Sequence, residues 1–74
     1  MKEIVQSVIL KKSHFTREQA KKWVHEHGFK PSSPDVTPHY YRFRQHDPHR
    51  LEAMGYHARN TPLGKEGYLV IFYP

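Results

Sequence analysis

The stretch Tyr40-Tyr41-Arg42-Phe43-Arg44-Gln45 interleaves aromatic with basic or polar side chains and contains neither Gly nor Pro. Successive side chains of a strand point to opposite faces of a sheet. One face therefore takes Tyr40, Arg42 and Arg44, and the other takes Tyr41, Phe43 and Gln45. The second face can enter a core. The first presents two guanidinium groups beside an aromatic ring, a combination that suits phosphates and exposed bases.

A helix is predicted on the N-terminal side of this stretch. Thr16 is a candidate N-cap, and Gln19 three residues later completes a capping box. A stripe at helical spacing follows, and a glycine suited to a left-handed C-terminal position comes directly after it: Ala20, Trp23, Val24, His27 and then Gly28. The pattern predicts a helix over residues 17–27, with Trp23 largely buried against a sheet and His27 at the edge of the core.

Strands are predicted before and after this helix. Residues 3–12 form a first strand that is rich in β-branched side chains and can lie centrally in the sheet. Regular alternation puts Ile4, Gln6, Val8 and Leu10 on one face, and Val5 with Ile9 on the other. Residues 39–45 form the second strand. Residues 56–63 and 68–73 form a hairpin around a glycine-bounded turn.

Two further segments are defined by proline. Residues 30–38 contain three prolines and are predicted to form an irregular, partly extended loop. Asp47-Pro48 predicts an N-cap followed by proline at the first helical position, which indicates one helical turn or a short 3₁₀ segment over residues 49–54, before Gly55.

The order of these elements predicts an α+β fold. A single helix packs on one face of a small, mostly antiparallel sheet of three to four strands (β-α-β-β-β), and residues 1–74 form one domain. No second layer is predicted for the other face, which is therefore expected to be exposed to solvent or used for binding.

The charge balance favours an acidic partner. Lys and Arg together number 12 and Asp and Glu number 7, which gives a net charge of +5 with His neutral. Nucleic acid is the commonest acidic partner of such domains. A net charge of this size can also do no more than keep the protein soluble. The composition therefore favours a nucleic-acid partner but does not require one.

The chain has no Cys, which excludes disulfides and thiolate zinc sites. The apolar segment near the N-terminus is interrupted by Gln6 and Ser7 and lacks a small-residue cleavage site after it. No apolar run approaches the roughly 20 residues of a membrane helix. The sequence therefore predicts a soluble cytoplasmic protein, with no membrane contact and no cofactor.

Several motifs together resemble a small module of phage and other viral proteins. They are Lys12-Ser13-His14-Phe15, then Ala20, Trp23 and His27-Gly28-Phe29, and then the stretch 40–45. The resemblance spans roughly residues 4–45, and residues 68–73 match less closely. It implies a viral protein, in the host cytoplasm, of the kind found alone or attached to head-maturation and DNA-processing proteins. It implies a link to DNA and supplies no catalytic residue.

A nucleic-acid interface is the main functional prediction. Its centre is Tyr40, Arg42 and Arg44, and further basic residues extend it if the strand order allows: Lys11, Lys12, Arg17, Lys21 and Arg59. Contacts with the phosphate backbone and stacking on bases are expected, with little reading of base edges. The structural alternative is that both Arg side chains form the solvated side of a strand and that Tyr40 covers the sheet edge.

Neither a metal site nor an enzyme is predicted. His46 and His49 flank Asp47 in a turn and can converge, but the other His are scattered or, as for His25 and His27, point in different directions. There is no HExxH motif, and zinc needs three or four convergent ligands. Ser13 and His14 are adjacent and do not face each other, and no acidic partner for a triad is indicated.

A protein-binding module is the competing function, either a phage inhibitor of a host protein or a self-associating domain. An exposed sheet face or edge can recruit another chain, and Tyr, Trp and Arg dominate interface hot spots. Salt separates the two functions, because affinity for nucleic acid falls steeply with salt and an apolar protein contact does not.

Overall fold

The β-branched segment near the N-terminus forms the central strand of the structure, a computed structural model that describes residues 3–74. The strands in chain order are β1 (Ile4–Lys11), β2 (Asp35–Val36), β3 (Tyr40–Arg44), β4 (His57–Pro62) and β5 (Gly67–Tyr73). They form one sheet in the order β2-β3-β1-β5-β4, and every neighbouring pair is antiparallel. The central position of β1 and the C-terminal hairpin β4–β5 confirm two predictions.

The predicted helix is present as α1 (Arg17–Glu26), one residue shorter than expected because His27 is its C-cap. The capping box is complete. The backbone amide of Gln19 donates to Thr16 Oγ1 at 3.2 Å, and the backbone amide of Thr16 donates to Gln19 Oε1 at 3.0 Å. Gly28 follows at φ 80°, the left-handed conformation expected after the helix.

The core lies between α1 and one face of the sheet, here called the α1 face. Ala20 and Val24 of α1 are fully buried, and they pack with three fully buried strand residues: Val8, Leu10 and Phe43. Trp23 packs against this cluster with most of its surface covered, as predicted, although it is not fully buried as Ala20 and Val24 are. His27 is exposed, and its ring stacks on that of Trp23 with centroids 3.8 Å apart.

The fold class is α+β as predicted, with one more strand and one more helix than the single-helix arrangement. The additional strand is β2, which forms within the predicted loop when Asp35 and Val36 pair with Arg42 and Tyr41 of β3. The additional helix is α2 (Pro48–Ala53), which extends the predicted turn. Asp47 caps it as expected, since its Oδ1 accepts from the His49 amide at 3.0 Å. Neither helix in residues 3–74 is long and apolar enough to cross a membrane.

A β-bulge in β1 changes the predicted faces of its first residues. Val5 pairs with Ile71 and Ser7 pairs with Val70, so Gln6 is an extra residue without a direct partner on β5. The bulge reverses the alternation before it. Val5 therefore packs against the core with Val8, and Ile4 lies on the face away from α1. Regular alternation had predicted the reverse.

The sheet face away from α1, here called the opposite face, contains three buried strand residues. Ile9 lies in its middle, between Arg42 and Tyr68, and Ser7 and Phe72 lie toward one end. At the same end the backbone amide of Gln45 donates to the backbone carbonyl of Gln6 at 2.7 Å. The chain then continues into α2, whose Leu51 is buried. We infer that α2 covers this end. The expectation that the whole face lacks a second layer is wrong there.

Candidate nucleic-acid interface

The register of β1 and β3 brings predicted site residues together on the opposite face. Lys11 pairs with Tyr40, and Ser7 pairs with Arg44. Directly opposed residues of an antiparallel pair share a face. Tyr40, Arg42 and Arg44 therefore project away from α1 beside Lys11. Phe43, between the two arginines, is fully buried on the α1 face. The alternation predicted for this strand is confirmed.

Tyr68 of β5 adds a second aromatic ring that the sequence did not indicate. Ile9 pairs with Arg42 on one side and with Tyr68 on the other, so the three residues form one row across the sheet. The Tyr68 ring meets the Tyr40 ring edge to face, with centroids 5.8 Å apart and planes at 76°. Both tyrosines are half-buried. Lys11, Tyr40, Arg42 and Tyr68 are called the basic–aromatic patch below.

A chain of hydrogen bonds through buried side chains holds Arg42. Its Nε donates to Ser7 Oγ at 3.3 Å, and the Ser7 hydroxyl donates to Gln6 Oε1 at 2.7 Å. Gln6 Nε2 donates in turn to the His46 carbonyl at 2.8 Å. Because Gln6 and Ser7 are fully buried, this chain anchors Arg42 from the interior of the protein.

The charges of Lys11 and Arg42 have no acidic neighbour at ion-pair distance among residues 3–74. The ion pairs in this part of the chain are Lys22–Glu26, Arg44–Asp35 and Arg59–Glu3. Asp35 lies opposite Arg42 on the same face, but its ion pair is with Arg44. Lys11 and Arg42 are therefore two cations without an ion-pair partner in residues 3–74, on the same face as the two tyrosine rings, and this arrangement can attract an anionic ligand.

Arg44 differs from the other predicted central residues because a carboxylate neutralises it. Its Nε lies 2.9 Å from Asp35 Oδ2, and the two side chains are 59% and 57% exposed. Asp35 reaches this position through β2, the strand that the sequence did not predict. A pair this exposed contributes little stability, so a phosphate can compete with Asp35 for the guanidinium group.

Three predicted site residues lie on the other side of the sheet. Arg17 and Lys21 belong to α1, which packs on the α1 face. Lys12 Nζ lies 5.6 Å from the centre of the Tyr41 ring, which packs against the core on that same face. A ligand that lies flat on the opposite face does not reach these residues. The prediction that they extend the interface around Arg42 is therefore wrong.

Arg59 is also separate from the patch, at the other edge of the sheet. It lies on β4, and the strand order puts β1 and β5 between β4 and β3. Its guanidinium group pairs with Glu3 and lies 5.4 Å from the centre of the Tyr73 ring. Arg59 therefore has a local structural role and does not extend the patch.

The histidines do not converge. All seven are exposed, and within residues 3–74 no three His, Asp or Glu side chains are grouped so that they could hold a metal ion. The open groove of about 470 Å³ beside β3 contains His46 and His49, but Asp47 there is engaged as the cap of α2.

The residues that sequence reasoning missed depend on contacts between distant segments. Tyr68 and Asp35 join the site through the positions of β5 and β2 in the sheet. Ser7 follows the bulged residue Gln6 and donates to its side chain, and one feature of the sequence is consistent with that bulge. Gln6 and Ser7 are two polar residues inside an otherwise apolar strand, and such an interruption is compatible with a bulge.

Comparison of the chain with protein-family models, with curated proteins and with solved structures found no match. The resemblance to a phage module therefore stays a prediction. The geometry of the basic–aromatic patch is the main indication of function.

Proposed function

We propose that the protein binds nucleic acid through the basic–aromatic patch. The observation that carries the proposal is the combination of two cations without an ion-pair partner among the described residues and two half-buried tyrosines on one sheet face. Cations neutralise phosphates and release their counterions, and tyrosine rings offer a surface on which bases stack. DNA in a phage or viral setting is the first expectation, because the sequence motifs resemble such a module.

The patch suits contact with phosphates more than recognition of base sequence. Arg42 offers a planar, permanently charged fork, which matches the geometry of a phosphate. Lys11 adds a point charge next to Tyr40. Contacts of this kind position a ligand and carry little sequence information, so we expect similar affinity for unrelated sequences.

The alternative, a protein-binding module, would use a sheet edge or the same face. The edge at β2 is only two residues long. At β4, the Leu63 amide donates to the Gly67 carbonyl at 2.9 Å, so the alternate residues Ala58, Asn60 and Pro62 direct their backbone groups outward. Pro62 has no amide hydrogen to donate. Both edges thus offer few donors to another strand.

The test compares two variants that each lose one positive charge. Arg42→Gln removes a patch cation, and Arg17→Gln removes an exposed cation from α1. Binding of labelled single- and double-stranded DNA and RNA is measured by fluorescence anisotropy at several salt concentrations. Arg42→Gln should weaken binding and reduce the log–log salt slope by about 0.7–0.9, the contribution of one phosphate contact. Arg17→Gln should leave the slope nearly unchanged.

Two results would contradict the proposal. The first is no binding of any nucleic acid by the unmodified protein at low salt. The second is an equal loss for the two variants, because net charge alone would then explain the affinity. Thermal unfolding of both variants provides the control that Arg42→Gln, which loses the bond to Ser7, remains folded.

A further inference from the structure

The Tyr40–Tyr68 pair indicates which form of nucleic acid the patch would accept. The two rings come from β3 and β5 and support each other edge to face across β1. A base can stack on an aromatic ring only when its own face is exposed, which a single strand allows and an intact duplex does not. Two tyrosine rings in edge-to-face contact on a sheet surface therefore favour binding of unpaired bases over binding of a duplex.

The position of Arg42 fits the same ligand. Arg42 and Tyr68 both pair with Ile9, so the backbones of the two residues are separated by two strand spacings, roughly 10 Å. Because Ser7 engages Nε of Arg42, the two terminal nitrogens have no protein partner among residues 3–74. They are available to a phosphate of the strand whose base lies on the tyrosine pair.

The shape of the patch is unfavourable for reading a duplex. Its members are all strand residues: Lys11 on β1, Tyr40 and Arg42 on β3, and Tyr68 on β5. A duplex is read by a helix, a two-stranded ribbon or an extended arm that enters a groove. A flat strand surface reaches only the phosphates of a duplex and leaves the tyrosines unused.

We propose that the basic–aromatic patch binds single-stranded nucleic acid, with a base on the Tyr40–Tyr68 pair and a neighbouring phosphate on Arg42. This inference depends on the proposed function. It adds the form of the ligand and assigns Tyr68, whose ring forms part of the surface, as a binding residue.

The first experiment changes the ligand and leaves the protein intact. Three labelled DNA ligands of equal phosphate number are compared at one salt concentration: a mixed single strand, an abasic single strand and a hairpin duplex. Loss of one stacked base should weaken binding by about 5- to 150-fold. The mixed strand should therefore bind more tightly than the abasic strand by this factor, and more tightly than the duplex.

The second experiment changes Tyr68. Tyr68→Leu should lower affinity for the mixed strand and leave the affinities for the abasic strand and the duplex unchanged, whereas Tyr68→Phe should keep most of the binding. Tyr73→Leu is the matched control, because Tyr73 lies on the same strand but on the α1 face beside Arg59 and His57. It should leave binding of the mixed strand unchanged.

The comparison of the three ligands tests the preference for a single strand even if Tyr68→Leu fails to fold. Equal affinity for the mixed and abasic strands, or tighter binding of the duplex, overturns the single-strand inference and leaves the proposed function standing. Absence of binding to all three ligands overturns both. Unchanged affinity of a folded Tyr68→Leu variant for the mixed strand removes Tyr68 from the site.

Discussion

Replacing Asp35 by Asn should strengthen binding of nucleic acid, because it removes the carboxylate that competes for Arg44. Asp35 Oδ2 lies 2.9 Å from Arg44 Nε. Asn keeps the size of the side chain and an oxygen acceptor but not the negative charge. Arg44 projects from the same face as Arg42, so its released guanidinium group lies beside the basic–aromatic patch and can contact another phosphate.

The exposure of the pair sets the expected magnitudes. Both side chains are more than half exposed, so the variant should lose at most about 1 kcal/mol of unfolding free energy. One additional phosphate contact steepens the log–log salt dependence by about 0.7 for a single strand and about 0.9 for a duplex. Over an approximately fourfold rise in salt, the affinity advantage of Asp35→Asn over the unmodified protein should therefore shrink about threefold.

The assay is a salt titration of anisotropy with Glu26→Gln as the control. Glu26 is also the acid of an exposed ion pair, since its Oε1 lies 3.8 Å from Lys22 Nζ, but it lies on α1. Both variants raise the net charge by one. An equal gain for the two variants would show that Arg44 is not part of the site, and a loss of affinity for Asp35→Asn would refute the reasoning directly.

Two further predictions concern the fold. Thr16→Ala should cost about 1 kcal/mol in urea unfolding, because it removes the acceptor for the Gln19 amide, and Thr16→Ser should restore the loss; equal stability of all three proteins would show that the cap contributes nothing. Gly67→Ala should cost about 2 kcal/mol or more, because the new Cβ would lie 2.0 Å from the Ile9 carbonyl oxygen at φ 150°. Gly64→Ala, with positive φ but no atom within 4 Å of the new Cβ, should cost less, and the reverse order would contradict the steric argument.

The features that could be predicted from the sequence are those determined by neighbouring residues. The capping box at Thr16, the glycine after α1 and the proline start of α2 all depend on contacts within a few positions. Local backbone geometry is enough to specify them. The alternation around Phe43 was predictable for the same reason, since it needs only the period of a strand.

The site could be predicted only in part, because its composition depends on strand order. The sequence allows Arg59 to join Arg42, but the order β2-β3-β1-β5-β4 separates their strands by two others. The same order brings Tyr68 against Tyr40 although the two residues are far apart in the sequence. Nothing local distinguishes Tyr68 from the other tyrosines, so its role follows from the assembled sheet alone.

The bulge at Gln6 connects the core to the candidate site. With regular alternation Gln6 would point into the apolar core below α1, and Val5 would point away from it. The extra residue brings Val5 into the core and leaves Gln6 buried with its polar groups satisfied. Its side chain then accepts from Ser7 and donates to His46, and Ser7 anchors Arg42. A polar residue in the middle of the central strand thus stabilises the position of the cation on which the proposed interface depends.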